Sequence, residues 1–133
     1  MFGKMTKNKL KVAGIALYCG EGSKGLRGNG NVILTNTNPQ IMRVWIRFLT
    51  DIMKIPISEI KIRVFVYPDL DINEVRKYWL NETNLPESCW RRHTIKKSLG
   101  SKRRSNYGIA HVGIYSIEVK MKIYGMMDAM YQM

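Results

Sequence analysis

The sequence predicts an α+β fold, and three patterns carry that prediction. Apolar residues recur at helical spacing from Ile41 to Ile52. Two segments, Ile60–Tyr67 and Tyr107–Tyr115, alternate with the period of two that is typical of strands with one buried face. A chain of 133 residues is long enough to bury one core. Because no linker interrupts it, we expect a single domain over residues 1–133.

A glycine-rich region separates the first predicted helix from the first predicted strand. Thr6 or Asn8 can cap a helix that runs to about Gly20, since either side chain can accept a hydrogen bond from the first turn. Glycines then recur between residues 22 and 31. The segment Asn31–Asn36 follows, and its β-branched centre predicts a strand.

Two further helices begin at polar caps. Asn38 precedes Pro39, a residue favoured in the first turn of a helix, and the second helix is expected to run to about Met53. Asp71 caps a third helix that is expected to end near Asn81.

The last third of the chain is expected to contain a strand pair and a helix. The strands are Cys89–Lys97 and the alternating segment Tyr107–Tyr115, joined by a polar, basic loop over residues 98–106. Ser116 then caps a final helix that runs to about Met130.

The charge of the chain is the main indication of a partner. There are 22 Lys and Arg residues against 10 Asp and Glu residues, which gives a net charge of +12 at pH 7. An excess of this size favours a polyanionic partner, with nucleic acid first and an acidic membrane surface second. A basic surface that is merely solvated is the alternative.

The cysteines and the N-terminal region indicate a cytoplasmic protein without a membrane anchor. Cys19 and Cys89 form no CxxC pair, so neither a zinc site nor a disulfide framework is expected, which fits a reducing cytosol. The lysines that precede Val12–Cys19 imitate a signal peptide, but this apolar run is short and Tyr18 does not suit a cleavage site.

Basic residues are candidates for contact with DNA. Two lie on the outward face of the alternating strand, and the others follow Trp90 or lie in the loop 98–106, for which a solvated loop is the alternative. Arginine can form two hydrogen bonds to a guanine edge or a phosphate, while lysine acts as a point charge on phosphate. The candidates are Lys61, Arg63, Arg91, Arg92, Lys102, Arg103 and Arg104.

A lone acid at the end of an apolar helix is the feature most informative about chemistry. Residues Gly14–Gly22 read GIALYCGEG. In a chain this basic, such an acid could hold a metal ion against a phosphate. The segment resembles the LAGLIDADG motif of homing endonucleases. Glu21 falls on the acid that ligates metal in that family, while Ala16 replaces a glycine and Cys19 replaces the aspartate at the sixth position.

The resemblance extends through the order of the elements over residues 8–131. It implies an antiparallel β-sheet that saddles double-stranded DNA, with helices packed on one face. It also implies a site-specific DNA endonuclease that depends on Mg²⁺ or Mn²⁺, with Glu21 as metal ligand and catalytic residue. Charge and placement, rather than a motif match, suggest Lys96 or Lys97 as a basic catalytic residue near the phosphates.

The implied enzyme is a homodimer, because cleavage needs two acids near the scissile phosphates and one chain supplies one. The small residues Ala13, Ala16 and Gly20 lie on one stripe of the first helix, where they would let two helix backbones approach closely. With Leu17 they form the expected dimer interface. Two Glu21 carboxylates would then meet at the two-fold axis.

Two other functions share these features. A DNA-binding regulator could retain the saddle without cleavage, and an RNA-binding or RNA-processing protein would have the same charge. Residues 20–25 also match the G-x-G-x-x-G fingerprint, but that fingerprint needs a strand before it and a helix after it. Here the predicted order is reversed, so no nucleotide cofactor is expected.

Overall fold

A computed structural model describes residues 5–21, 29–95 and 106–132 of the chain. Within these ranges the fold is α+β, as the sequence predicts, with four α-helices and one four-stranded sheet. The helices are α1 (Lys7–Glu21), α2 (Pro39–Arg47), α3 (Ile72–Thr83) and α4 (Ile117–Tyr131). The strands are β1 (Asn31–Asn36), β2 (Lys61–Val66), β3 (Thr94–Ile95) and β4 (Ile109–Tyr115).

The sheet is mixed, with the strand order β1-β4-β2-β3. β4 is antiparallel to both of its neighbours, β1 and β2, whereas β3 is parallel to β2. The expected antiparallel sheet is therefore wrong for the β2–β3 pair. The cause is topological, because α3 connects β2 to β3, and a strand–helix–strand crossover brings the second strand back in the same direction.

Most of the strand predicted at Cys89–Lys97 does not form. Its beginning belongs to the 3₁₀ turn Glu87–Cys89, and among the described residues only Thr94–Ile95 pair with β2 as a strand. Cys89 is buried, and its Sγ donates a hydrogen bond to the carbonyl of Ile57 (3.3 Å). Directly after this turn the chain reaches β2, where Trp90 forms a single parallel bridge with Ile62 and the N–H of Arg91 donates to the carbonyl of Ile62 (2.8 Å).

The predicted helix caps are confirmed. Each cap side chain accepts a hydrogen bond from a backbone N–H of the first turn, which satisfies a donor that has no partner within the helix. The pairs are Asn38 with Gln40 (2.8 Å), Asp71 with Asn73 (2.9 Å), Ser116 with Val119 (3.1 Å) and Thr6 with Lys9 (3.2 Å). None of the helices among the described residues combines the length and apolarity that a membrane crossing requires.

The second helical segment ends near Met53, as predicted, but its last part is not α-helical. α2 ends at Arg47, and the chain continues as the π-helical turn Phe48–Ile52. This turn packs against α1 at Gly14, where an added methyl group would collide with the ring of Phe48. The first position of the GIALYCGEG segment is therefore glycine for a packing reason.

One face of the sheet forms the hydrophobic core with the helices. The indole N–H of Trp45 in α2 donates to the carbonyl of Val112 in the central strand (2.9 Å), which ties the helix layer to the sheet. Tyr18 of α1 stacks on Trp45 with ring centroids 5.9 Å apart. The strand residues on this face are all buried: Val32, Leu34, Ile62, Val64, Val66, Ala110, Val112 and Ile114.

A lysine occupies a core position of α4. Lys120 is fully buried beside Val119 and Ile123, and its Nζ has no hydrogen-bond partner among the residues that the structure describes. The contact that the structure describes for this ammonium group is with the ring of Tyr124, whose centroid is 5.9 Å away. A buried polar group without a partner lowers the stability of the fold, because its hydration is lost and not replaced.

We expect Lys120→Met to stabilise the protein. Methionine keeps the length and flexibility of the side chain and removes the unpartnered amine. The free energy of unfolding should rise by about 1–3 kcal/mol, the usual cost of burying an unsatisfied polar group. Urea denaturation of the two proteins measures the change. Lys122→Met, at an exposed position of the same helix, is the control and should change stability little. A loss of stability in Lys120→Met would show that the amine has a stabilising partner.

Candidate nucleic-acid interface

Within the described part of the chain, the face of the sheet that is turned away from the core is open and carries a hollow of about 360 Å³. Side chains from the three long strands line it, because alternate residues of a strand point to opposite faces. Tyr115, at the end of β4, is 69% exposed and stands at one end of this hollow. The lining also includes Asn31, Ile33, Lys61, Arg63, Phe65, Arg91, His111 and Gly113.

Strand register aligns a polar row across the middle of the open face. His111 of β4 lies opposite Thr35 of β1 on one side and Arg63 of β2 on the other. The Oγ1 of Thr35 and the Nδ1 of His111 are 3.0 Å apart, within hydrogen-bond distance. The imidazole also packs on the ring of Phe65, with centroids 4.1 Å apart. These contacts hold His111 in place beneath the basic side chains.

Three predicted DNA-contact residues line this hollow together. Lys61 donates through Nζ to the carbonyl of Ser58 (3.0 Å). Arg91 donates to the carbonyls of Ser88 (2.9 Å) and Trp90 (3.0 Å), so its guanidinium is held before any ligand arrives. Arg63 is exposed and has no hydrogen-bond or ion-pair partner among the residues that the structure describes. Its donors are therefore available to a ligand.

A second hollow, of about 430 Å³, lies beside the first at the β3 edge of the sheet. Arg63 contributes to both hollows and so lies between them. Arg92, another predicted DNA-contact residue, lines the second hollow together with His93 and β3. No acidic residue of the described chain lines either hollow. The described acids therefore do not neutralise this positive charge locally, which favours a polyanion at this surface.

The remaining basic candidates lie outside the part of the chain that the structure describes. Their contact with DNA, and a catalytic role for two of them, stay predictions. They are Lys96, Lys97, Lys102, Arg103 and Arg104.

The end of α1 contacts the beginning of β1. Tyr18, in the last turn of α1, donates its hydroxyl to the carbonyl of Asn31 (3.4 Å), and Asn31 begins β1 and lines the first hollow. Burial, together with the neighbouring Tyr124, raises the pKa of Tyr18 to about 12. The hydroxyl therefore stays protonated at neutral pH and can keep donating this bond.

Glu21 is the final residue of α1, and its side chain lies outside the described part of the chain. The C-terminal end of a helix carries a partial negative charge, and α1 has no basic residue in its last turn to offset it. An acid at this point adds to that charge, so the helix end favours a cation.

The described residues of one chain do not provide a full set of ligands for a divalent cation. They contain no group of three or more His, Cys, Asp and Glu residues placed to hold a metal ion. Mg²⁺ is commonly bound by one or two carboxylates, with phosphate oxygens and water completing its shell. The single Glu21 fits that kind of site if DNA and a second chain supply the other oxygens.

The predicted dimer stripe lies partly on the exposed side of α1. Ala16 and Gly20 are exposed, and no heavy atom lies within 4 Å of a Cβ built on Gly20. Ala13 is half-buried, and Leu17 is half-buried against the core. The stripe is accessible for helix packing, and the dimer stays a prediction.

The sequence analysis missed several residues of the open face. Tyr115 shares the alternation of His111 on β4, and Phe65 shares that of Arg63 on β2. The alternation in the sequence therefore already indicated that each pair lies on one face of its strand. Asn31 and Thr35 could not be assigned, since the pairing partner of β1 was unknown without the fold. Comparison of the chain with family models, with curated proteins and with solved structures gave no match.

We expect Arg63→Gln to reduce the salt dependence of DNA binding. If the guanidinium contacts one phosphate, the slope of log affinity against log salt should fall by about 0.9. Fluorescence anisotropy with a labelled duplex at several salt concentrations measures this slope. Arg76→Gln is the matched control, because Arg76 lies on α3 and pairs with Glu87 (3.6 Å) away from both hollows. Equal slopes for the two variants would show that Arg63 does not contact the DNA phosphates.

Proposed function

We propose that the protein binds double-stranded DNA across the open face of its sheet. The observation that carries this proposal is the grouping of Lys61, Arg63 and Arg91 on one uncovered face whose described lining contains no acid. The major groove of DNA is about 12 Å wide and admits a two-stranded β-ribbon. Here the antiparallel strands β2 and β4 are the inner pair of a four-stranded sheet, so the sheet would lie across the groove, and both strands contribute side chains to the hollow that would face the DNA.

The cations of this face suit different parts of the DNA. Arg63 has no partner among the described residues and can form paired hydrogen bonds to a base edge or a phosphate. The side chains of Lys61 and Arg91 are already held by backbone carbonyls, so they suit fixed contacts with phosphates. Such fixed phosphate contacts orient a duplex without reading its sequence.

We further propose that the protein is a site-specific endonuclease of the LAGLIDADG kind, with Glu21 as its essential acid. Three features support this: the resemblance of residues 14–22, the position of Glu21 at the negative end of α1, and the contact between α1 and the beginning of β1. A divalent cation bound there would stabilise the charge that develops on the cleaved phosphodiester. Glu21 would hold that cation, and the basic residues of the open face would orient the backbone.

A homodimer follows from this chemistry. Each chain provides one acid at the end of α1, and cutting two strands requires two. Packing of the stripe formed by Ala13, Ala16, Leu17 and Gly20 on its symmetry mate would bring the two helix ends together. The exposure of Ala16 and Gly20 supports this arrangement, because their small side chains allow close helix approach.

We expect Gly20→Leu to weaken the dimer. A leucine would push the two helices apart at their contact, and overpacking of this kind costs about 1–3 kcal/mol. Within one chain the substitution meets open space, so folding should be retained. Sedimentation equilibrium at micromolar concentration measures association, and Gly20→Ala, which keeps the residue small, is the control. A wild-type chain that sediments as a monomer while binding DNA would contradict the dimer.

We expect Glu21→Gln to abolish cleavage and to leave folding and DNA binding intact. Glutamine keeps the shape of the side chain but removes the charge that holds the cation. Binding without metal should tighten slightly, since a carboxylate repels phosphate. The measurement is nicking of a supercoiled plasmid library in Mg²⁺ or Mn²⁺, with thermal melting of each protein. Glu74→Gln, which removes an exposed acid from α3, should cut like wild type.

The same experiment separates the endonuclease from a DNA-binding regulator. The regulator is the second candidate, because the grouping of Lys61, Arg63 and Arg91 supports DNA binding without requiring cleavage. A wild-type protein that binds duplex DNA in a salt-dependent way but cuts no member of the library would establish that alternative. Cleavage by Glu21→Gln at the wild-type rate would instead show that another residue holds the metal.

A further inference from the structure

An apolar groove of about 670 Å³ lies between α1 and α4. Ile15 of α1 and Met126 and Met130 of α4 belong to its lining and pack against the core. Val12 lies at the α1 side and is 52% exposed. We refer to this feature as the α1–α4 groove.

Small residues keep one side of the α1–α4 groove open. Gly125 and Ala129 are one helical turn apart on α4, and both are exposed. No heavy atom lies within 4 Å of a Cβ built on Gly125. A third helix could therefore approach the backbone of α4 closely and cover the apolar lining. Flexible methionines suit such a surface because they adapt to the shape of an incoming side chain.

The polar residues at the α1–α4 groove are mainly basic. Lys11 borders it on α1, and Lys122 borders it on α4. Lys122 forms an exposed ion pair with Glu118 (3.3 Å), one turn earlier on the same helix. Lys11 has no hydrogen-bond or ion-pair partner among the residues described. No acidic residue of the described chain lines the groove itself.

The α1–α4 groove is separate from the proposed DNA interface. None of the described side chains of α1 and α4 lines the two hollows of the open sheet face. A ligand in the groove would therefore leave Lys61, Arg63 and Arg91 available. The apolar lining also makes the groove unsuited to a nucleic-acid backbone, which needs cations and hydrogen-bond donors along its length.

We propose that the α1–α4 groove docks an amphipathic helix of another protein, one whose apolar stripe is flanked by acidic side chains. The apolar stripe would cover Val12 and Met126, as in other helix-in-groove complexes, while the acidic flanks would meet Lys11 and Lys122. The charge of the rim selects this occupant. A second copy of the chain carries a net charge of +12 and would bring further lysines to a lysine rim, which disfavours it.

The test uses two synthetic helical peptides with leucine at i, i+3, i+4 and i+7. One peptide carries glutamates on both flanks, and the other carries lysines at the same positions. Fluorescence anisotropy with the full chain should show binding of the acidic peptide and at least tenfold weaker binding of the basic one. Equal affinity for the two peptides, or no binding of the acidic one, would overturn the proposal.

Two variants locate the binding site. Gly125→Leu fills the groove at an exposed helical position where leucine favours the helix, and it should weaken binding of the acidic peptide at least tenfold. Lys11→Glu should reverse the preference towards the basic peptide. Duplex DNA affinity of Gly125→Leu should equal that of wild type, which makes this test independent of the DNA proposal.

Sedimentation of the wild-type chain and of Gly125→Leu tests whether a second copy of the chain occupies the groove instead. If the wild-type chain forms a dimer that Gly125→Leu breaks, a second copy occupies the groove and the proposal is overturned. If Gly125→Leu loses only the peptide, the groove is a docking site for a different protein.

Discussion

The close approach of β1 to β4 at Gly113 underlies the arrangement of the open face. A Cβ at this position would collide with the carbonyl of Val32, so only glycine allows the two strands to pair here. Since β4 is central and also pairs with β2, its register relative to β1 decides which side chains meet across the sheet. Thr35, His111 and Arg63 form one row because of that register. Glycine also leaves the middle of the hollow without a side chain.

The charges of the molecule are unevenly distributed. Both hollows of the open face are lined by basic, aromatic and neutral residues, whereas acids such as Glu74 and Glu82 lie on α3. The ion pairs that the structure describes, such as Arg43–Glu82 (3.3 Å), do not involve the cations of the open face, which have no acidic partner among the described residues. A polyanion would therefore be drawn to the sheet, while the helix layer remains available for protein contacts.

In two places the helix layer has side chains that no other part of the described chain pairs with or covers. The ammonium of Lys120 is buried without a hydrogen-bond partner, and the α1–α4 groove leaves apolar side chains uncovered. The first lowers stability and the second raises the tendency to associate. Glu21 differs from both, because one acid at the end of a helix suits a cation only when other oxygens complete its shell. The proposed endonuclease chemistry would therefore depend on a second chain, whereas the proposed DNA binding would not.

Local chemistry in the sequence was sufficient to assign the α+β class, β1 and the helix caps at Asn38, Asp71 and Ser116, because a cap or an alternating strand depends on neighbouring residues alone. The two faces of β4 followed from the same periodicity. The parallel pairing of β3, the π-helical end of the second helix and the burial of Lys120 were decided by tertiary structure. Each depends on contacts between residues far apart in the chain, such as Gly14 with Phe48. The alternation of β2 placed Arg63 on its outward face and made it a candidate for DNA contact. Its position between two hollows became visible only in the folded structure, since strand order and register bring separate segments to one surface.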